Sequence, residues 1–483
     1  MNFIINFFKT LNDNNIRYVH WKSNLNIEKA LSGIDDLDIL VSPNDRERLF
    51  DIFERLNILK ADSYKDNWQS GITHYIGYDT DSISLVHVHL HFELSLGYDF
   101  DKYISLPIVE EYIDSRTLYN NIVYIPSFEM EYIILVIRLV LKNSLTPFLL
   151  LLPHQQLKLI MSSKEGIIKG NAYKEYIDLK SKISVEDLKI SLNNKLIFLN
   201  KEIFEDCERI INNNNSISEF IKIGLKLEVS LKNYAYHSRF KSLLLSSIRL
   251  FSLRFKNFNS RLGFKNSVNG KINVNGGRIF AFVGGDGAGK STTIENTYKL
   301  LKKQFSVEKI HIGRPRKHFY GVILLILSKF FGILKLRSYQ EIFSYLSIAN
   351  NRRSEFRYAK KLRKSGVIVL QDRMPLKNIT HMDSHKIYSM KGGDYKYFSE
   401  IEKKCYEEIK DVDSLFILKL NPEIALQRRP EDEPNLLRLR SGEIWNGNWD
   451  DENMVIIDTG ENNEHKVLTI IGQNIWKNLL LKG

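Results

Sequence analysis

The chain has 483 residues, of which 69 are basic and 57 acidic, giving a formal net charge of +12. That length exceeds what one core serves, so two or three domains are expected, and a content of 43% hydrophobic and 26% charged residues excludes a largely disordered or fibrous chain. The basic balance favours anionic partners such as nucleotides, phosphorylated metabolites, nucleic acid or an anionic lipid surface, without choosing among them.

The opening residues, MNFIINFFKTLNDNN, lack a basic start and a small-residue cleavage site. A secretory leader is therefore not expected. Cys207 and Cys405 stand far apart and form no metal-ligand pair. A reducing cytoplasm fits that usage, and a cytoplasmic protein is the expectation.

Residues 1–126 mix strand and helix signals. Ile39-Leu40-Val41 and the stretch Ile83 to Phe92 read as strands. In Asp36-Leu37-Asp38 the two carboxylates share one face of an extended chain and can hold the Mg²⁺ of a nucleoside triphosphate. His87, His89 and His91 also share one face, as a polar sheet surface or as candidate metal ligands. Tight metal sites usually recruit ligands from more than one element. The stretch from Ile16 to Leu96 resembles the nucleotidyltransferase fold, which implies an α+β domain with Asp36 and Asp38 as metal ligands. Its Gly-Ser turn is replaced by Trp21-Lys22-Ser23-Asn24, and His89-Leu90-His91 stands where a third carboxylate belongs.

Residues 127–265 read as a helical connecting region, beginning with a helix over Phe128 to Lys142; Asn212 to Asn215 signals a loop. From Val229 to Gly285 there is no acidic residue, and residues 241–256 form a basic amphipathic helix pattern. Such a helix can touch an anionic membrane or serve as a connector between domains. No aromatic-rich module accompanies the charge, so a nucleic-acid partner is not expected. The Asn/Gly-rich residues 266–277 read as an exposed linker.

From 278 to 483, strand and helix signals alternate. Strands are expected at Ile279–Val283, Ile310–Gly313, Val367–Gln371, Leu415–Leu420 and Val455–Ile457. This pattern predicts an α/β domain, a parallel sheet with helices on both faces. The apolar run Phe319 to Leu336 contains Lys329 and Lys335 and reads as a buried helix rather than a membrane span.

The sharpest signal is Gly284-Gly285-Asp286-Gly287-Ala288-Gly289-Lys290-Ser291, which matches G-x-x-x-x-G-K-[ST] without departure. Glycines let successive N–H groups wrap phosphates, and the following helix adds its positive end. Lys290 then meets the β- and γ-phosphates and Ser291 ligates Mg²⁺, with Thr292 completing the loop. Asp286, beside the phosphates, is placed to accept from a sugar hydroxyl. ATP and Mg²⁺ are the expected cofactors.

Gly285-Asp286-Gly287 within that loop, followed by Ser-Thr-Thr, resembles the thymidylate kinase group of nucleotide kinases. So do His311-Ile312-Gly313-Arg314-Pro315-Arg316, Ala349-Asn350-Asn351-Arg352-Arg353, the strand ending in Asp372-Arg373, and Pro422-Glu423-Ile424-Ala425-Leu426-Gln427-Arg428-Arg429. The resemblance spans about Gly276 to Gly483 and implies phosphoryl transfer. It implies that Arg314, Arg316, Arg352 and Arg373 meet the acceptor, that Asp372 serves Mg²⁺, and that Arg428 and Arg429 belong to a mobile lid. The family's acceptor turn is here Gly-Arg-Pro-Arg, and its thymine-recognising stretch is replaced by Met374-Pro375-Leu376. The chain resembles the divergent members found with surface-polysaccharide genes. The expected protein is an ATP-dependent kinase acting on an unidentified small-molecule acceptor. A nucleotide-binding regulatory protein and a bifunctional kinase/nucleotidyltransferase are the alternatives, and the reading allows a homodimer.

Overall fold

Apolar runs bounded by turn residues become strands, and helices fill the intervals. The computed structural model describes residues 2–63, 71–98, 101–144, 166–195, 198–214, 216–261, 270–376, 379–390 and 395–482. Two compact units emerge: Met1–Asp81 with Val86–Asn266, and Ser82–Leu85 with Ser267–Gly483.

In the first unit, strands β1 (Tyr18–His20), β2 (Leu37–Val41), β3 (Leu59–Ser63), β4 (Thr73–Asp79) and β5 (Ser84–His91) lie in the order β1-β2-β5-β4-β3. β2 runs parallel to β5, with Asp38 opposite His89, and antiparallel to β1. Two hairpins follow, β6 (Leu94–Leu96) with β7 (Ile104–Leu106) and β8 (Thr117–Tyr119) with β9 (Val123–Ile125). The helix Asn2–Asp13 buries Ile4, Phe7, Phe8 and Leu11, an i, i+3, i+4, i+7 spacing that puts all four on one face.

The helix Phe128–Lys142 starts where Ser127 accepts the Met130 N–H at 3.4 Å. It buries Met130 through Ile137 and Leu139 through Leu141, so it is covered nearly all round. Helices Asn171–Lys182, Val185–Lys195, Lys201–Asn213 and Ile217–Ser230 follow. Val19, Leu40, Leu94, Met130, Phe204 and Leu227 share one core. The expected division between 1–126 and 127–265 therefore does not separate two cores. The helix Arg239–Arg261 turns Phe240, Leu244, Ile248, Phe251 and Phe255 to solvent and buries Ser242 and Ser246.

The second unit holds β10 (Lys271–Asn273), β11 (Ile279–Gly284), β12 (Val307–His311), β13 (Ile368–Asp372), β14 (Ser414–Lys419) and β15 (Met454–Asp458). Five of these form a parallel sheet in the order β12-β13-β11-β14-β15. β11 is central and buried along its whole length, which is why it reads as an unbroken apolar run.

Three expectations need correction here. β12 begins three residues before the expected Ile310, because the polar Glu308 and Lys309 hide its start. The expected linker is no free tether over residues 270–277; its first four residues, 266–269, lie outside the described residues, as does Asn215. The Lys271 N–H donates to the Gln304 carbonyl at 3.2 Å, the Ser306 N–H donates to the Lys271 carbonyl at 2.7 Å, and the buried Asn273 amide donates to the Leu479 carbonyl at 3.0 Å. The Asn side chains there satisfy backbone groups. The helix Phe319–Ile333 forms within the apolar run, yet it is not buried: Phe319, Tyr320, Ile326, Phe330 and Ile333 are exposed, and only Gly321 and Ser328 are buried. No helix among the described residues is long and apolar enough to cross a membrane.

Candidate functional site

β11 delivers the chain to the carboxyl edge of the parallel sheet, where open α/β sheets gather ligands. The loop Gly284–Ser291 leaves its end, and the helix Lys290–Lys302 starts immediately after. Gly289 caps that helix in the left-handed region, at φ 77°, a conformation a side chain would strain. Gly285 is a second obligate glycine, since a Cβ there would lie 2.7 Å from Ser441 Oγ. The loop is thus built of glycines where a side chain would meet Leu418 or Ser441 or strain a left-handed turn. Lys290 Nζ donates to the Gly285 carbonyl at 2.8 Å, which holds it over the loop. Burial, reinforced by the Arg373 charge, pushes its pKa down to about 8.

Two charged groups flank the loop. Asp286 lies 3.3 Å from Arg440 and 3.9 Å from Arg373. Asp372, at the end of β13, lies 3.5 Å from His311 Nε2, while its Oδ1 is buried without a hydrogen-bond partner. An orphaned carboxylate oxygen beside a phosphate cradle suits a cation or a water on one. Burial and the Arg373 charge lower the His311 pKa, although Asp372 opposes them.

Arg373 follows directly. Its backbone adopts φ 71°, a left-handed conformation that costs a non-glycine residue about 1 kcal/mol or more. The Arg373 N–H donates to the Phe282 carbonyl at 2.9 Å, and the Gln371 side-chain amide donates to the Arg373 carbonyl at 3.1 Å, fixing that turn. The guanidinium lies 3.2 Å from Asp383 and lines a small cleft with Val283, Gly284, Met374, Ile379 and Met382.

The remaining predicted arginines divide. Arg352 is buried and donates to the Ile312 carbonyl and the Tyr406 hydroxyl, and it pairs with Asp383. Arg316 is held by Glu355, at 2.7 Å from one guanidinium nitrogen and 2.9 Å from Nε. Both therefore brace neighbouring elements in this state. Arg314 is exposed, and its N–H donates to His311 Nδ1 at 3.2 Å. Arg428 donates to the Gly287 carbonyl at 3.3 Å and the Thr459 carbonyl at 3.1 Å, and lines a cavity of about 280 Å³ with Ala288, Gly289, Thr292, Thr293 and Asn296. Arg429 is exposed and lies 4.0 Å from Glu431 and Asp432.

Sequence reasoning missed Asp383 and Arg440. Asp383 joins Arg352 to Arg373, and Arg440 joins a distant helix to Asp286. Neither lies at a fixed spacing from the loop, so no local pattern signals them.

In the first unit Asp36 and Asp38 meet histidines, not a third carboxylate. Asp38 contacts Lys22 at 2.9 Å and His89 Nδ1 at 3.1 Å; Asp36 contacts His87 Nδ1 at 2.8 Å. Burial would raise the Asp38 pKa, but Lys22 and the His89 hydrogen bond hold it well below the usual carboxylate range. Glu93 lies beyond the end of β5. His91 leaves the histidine group: it is buried edge-on against Trp21, and burial lowers its pKa to about 4.

No protein-family model and no curated protein matches the chain. Among solved structures, thymidylate kinase from Candida albicans is similar over 42% of this chain and 94% of that chain, at 16% identity and a TM-score of 0.30.

Proposed function

We propose that the second unit is an ATP- and Mg²⁺-dependent phosphotransferase, acting on a nucleotide or on a phosphorylated or hydroxylated metabolite. Surface-polysaccharide synthesis is the proposed setting, on the motif resemblance alone. One observation carries the reading: an unbroken phosphate-loop motif leaves a buried central parallel strand with Lys290 poised over it, and the Asp372-Arg373 pair ends the adjacent strand.

The residues present suit the nucleotide and its metal. The glycine loop offers backbone N–H groups to phosphates, and the cavity beside Gly289, Thr292 and Arg428 offers room for a nucleotide. Ser291 and Asp372 would hold Mg²⁺, which when bound neutralises charge on the phosphate oxygens. Lys290 and the loop N–H groups bind the triphosphate and spread the charge that develops during transfer. Arg373, steered by Asp383, orients the acceptor through its planar fork. Arg428 and Arg429 close over the transferring group. Catalysis of this kind is positioning and charge stabilisation, so no nucleophilic side chain is required.

The test is incubation of the purified chain with Mg-ATP and a panel of nucleotides, sugar phosphates and alcohols, read by mass spectrometry. A phosphorylated acceptor formed by the wild type and absent with Lys290→Ala supports the reading. ATP binding without transfer to any acceptor would favour a nucleotide-binding regulatory protein. Absence of ATP binding by a folded chain would overturn both.

A further inference from the structure

Two neighbouring strands of the first unit bring imidazoles together outside the phosphate-loop site. His87 and His89 alternate on β5, and His74 stands on the neighbouring β4. One ring nitrogen from each lies within 4.8 Å of the others, the one such His/Cys/Asp/Glu group found among the described residues. His74 Nδ1 and His87 Nε2 are 3.1 Å apart. Two nitrogens of a tetrahedral zinc site, each about 2.0–2.1 Å from the ion, stand about 3.3 Å apart. The His74–His87 pair already has that separation, and His89, whose ring centroid is 4.2 Å from that of His87 and 5.0 Å from that of His74, needs only a side-chain adjustment.

The surroundings match what a metal-ligating histidine uses. Such an imidazole usually hands its second N–H to a carboxylate, which sets the tautomer and the ring orientation. Asp36 lies 2.8 Å from His87 Nδ1, leaving Nε2 toward His74. Asp38 lies 3.1 Å from His89 Nδ1 and Asp36 lies 3.6 Å from His89 Nε2, so Nε2 must exchange that longer contact for the ion to serve as the ligand atom. Lys22, 2.9 Å from Asp38, offsets one carboxylate charge. Imidazole ligands select zinc-class transition ions over Mg²⁺.

We infer that His74, His87 and His89 bind one divalent transition ion of the zinc class, with Asp36 and Asp38 as outer-shell carboxylates and a fourth position open to water. The carboxylates expected to hold Mg²⁺ directly thereby become orienting groups for three nitrogen ligands. This site uses only first-unit residues and stands or falls independently of the phosphotransferase reading.

The experiment strips the full-length protein with a chelator and titrates it with Zn²⁺ by calorimetry. One equivalent is expected to bind. His74→Ala and His89→Ala should each weaken binding by about 100-fold or more, Asp38→Asn by about 10–100-fold, and His381→Ala, elsewhere in the chain, not at all. Because a core substitution can disturb folding, a second readout uses the wild type alone: Zn²⁺ should slow diethyl pyrocarbonate modification of His74, His87 and His89 and leave His381 unaffected. Co²⁺ should give the intense visible absorption of a four-coordinate site. A folded wild type that binds no Zn²⁺ means that these residues form a hydrogen-bonded polar cluster, and overturns the inference. Tight binding undiminished in both histidine variants, or Zn²⁺ that protects none of the three, overturns it equally.

Discussion

The phosphate loop of the second unit and the histidine cluster of the first are both arrays of ligating groups set out by a sheet, the loop beyond the end of β11 and the histidines within β4 and β5, but they are encoded differently. The loop is made largely of consecutive backbone. Eight residues in a row carry it, and their glycines stand where Ser441 or a left-handed turn admits no side chain. The cluster takes its histidines from two strands and its carboxylates from Asp36 and Asp38, so that His74 and Asp36 are 38 residues apart in sequence. A contiguous backbone site tolerates little sequence change and stays legible. An assembled side-chain site becomes visible only when strand order is known.

That contrast can be broken first at the loop itself. Gly285→Val would drive a branched side chain against Ser441 and shift the loop backbone. Mg-ATP binding, measured by calorimetry, should become undetectable while circular dichroism stays native. Retained affinity would show that the cradle is not where the triphosphate sits.

A smaller effect is expected at Arg373, which belongs to a side-chain array within the same unit. Arg373→Lys keeps the charge but loses the fork and the paired geometry toward Asp383. The acceptor-dependent rate should fall by about 10–100-fold, with ATP affinity nearly unchanged. Equal loss on both sides would assign Arg373 to the nucleotide instead.

A further expected effect lies in the first unit and concerns stability. Glu131 sits in the core-facing helix with one oxygen accepting the Asn24 N–H at 3.2 Å and the other without a partner. Burial, which outweighs that hydrogen bond, raises its pKa to about 7. A carboxyl raised in the folded state stabilises most below its unfolded value near 4.5, and that contribution is lost as pH rises toward 7. Glu131→Gln should therefore stabilise the first unit relative to wild type at pH 8, by about 2–3 kcal/mol at most, with the difference vanishing near pH 4. Urea unfolding at the two pH values checks this; a pH-independent difference would contradict it.

What the sequence made legible follows the same division. Alternating strand and helix signals located the five strands of the parallel sheet, with β12 displaced because its first residues are polar. The phosphate loop could be picked out by its spacing, and the Asp372-Arg373 pair by a family resemblance at the end of an expected strand. The left-handed backbone of Arg373, the Asp383 bridge between two arginines and the engagement of Arg316 by Glu355 could not, because each depends on contacts between segments distant in the chain. Two composition signals misled for physical reasons. Asn and Gly marked turns whose amides are satisfied internally rather than a free linker, and the apolar run at Phe319 reported a preference for burial that this chain alone does not meet.

The most direct test follows the γ-phosphoryl group of labelled ATP in the presence of Mg²⁺ and the acceptor found by screening, comparing wild type with Lys290→Ala at saturating ATP. Label should move to the acceptor with the wild type, and the variant should lose about 10³-fold or more of that rate while remaining folded. Transfer by Lys290→Ala at the wild-type rate would contradict the assignment of phosphoryl transfer to this loop.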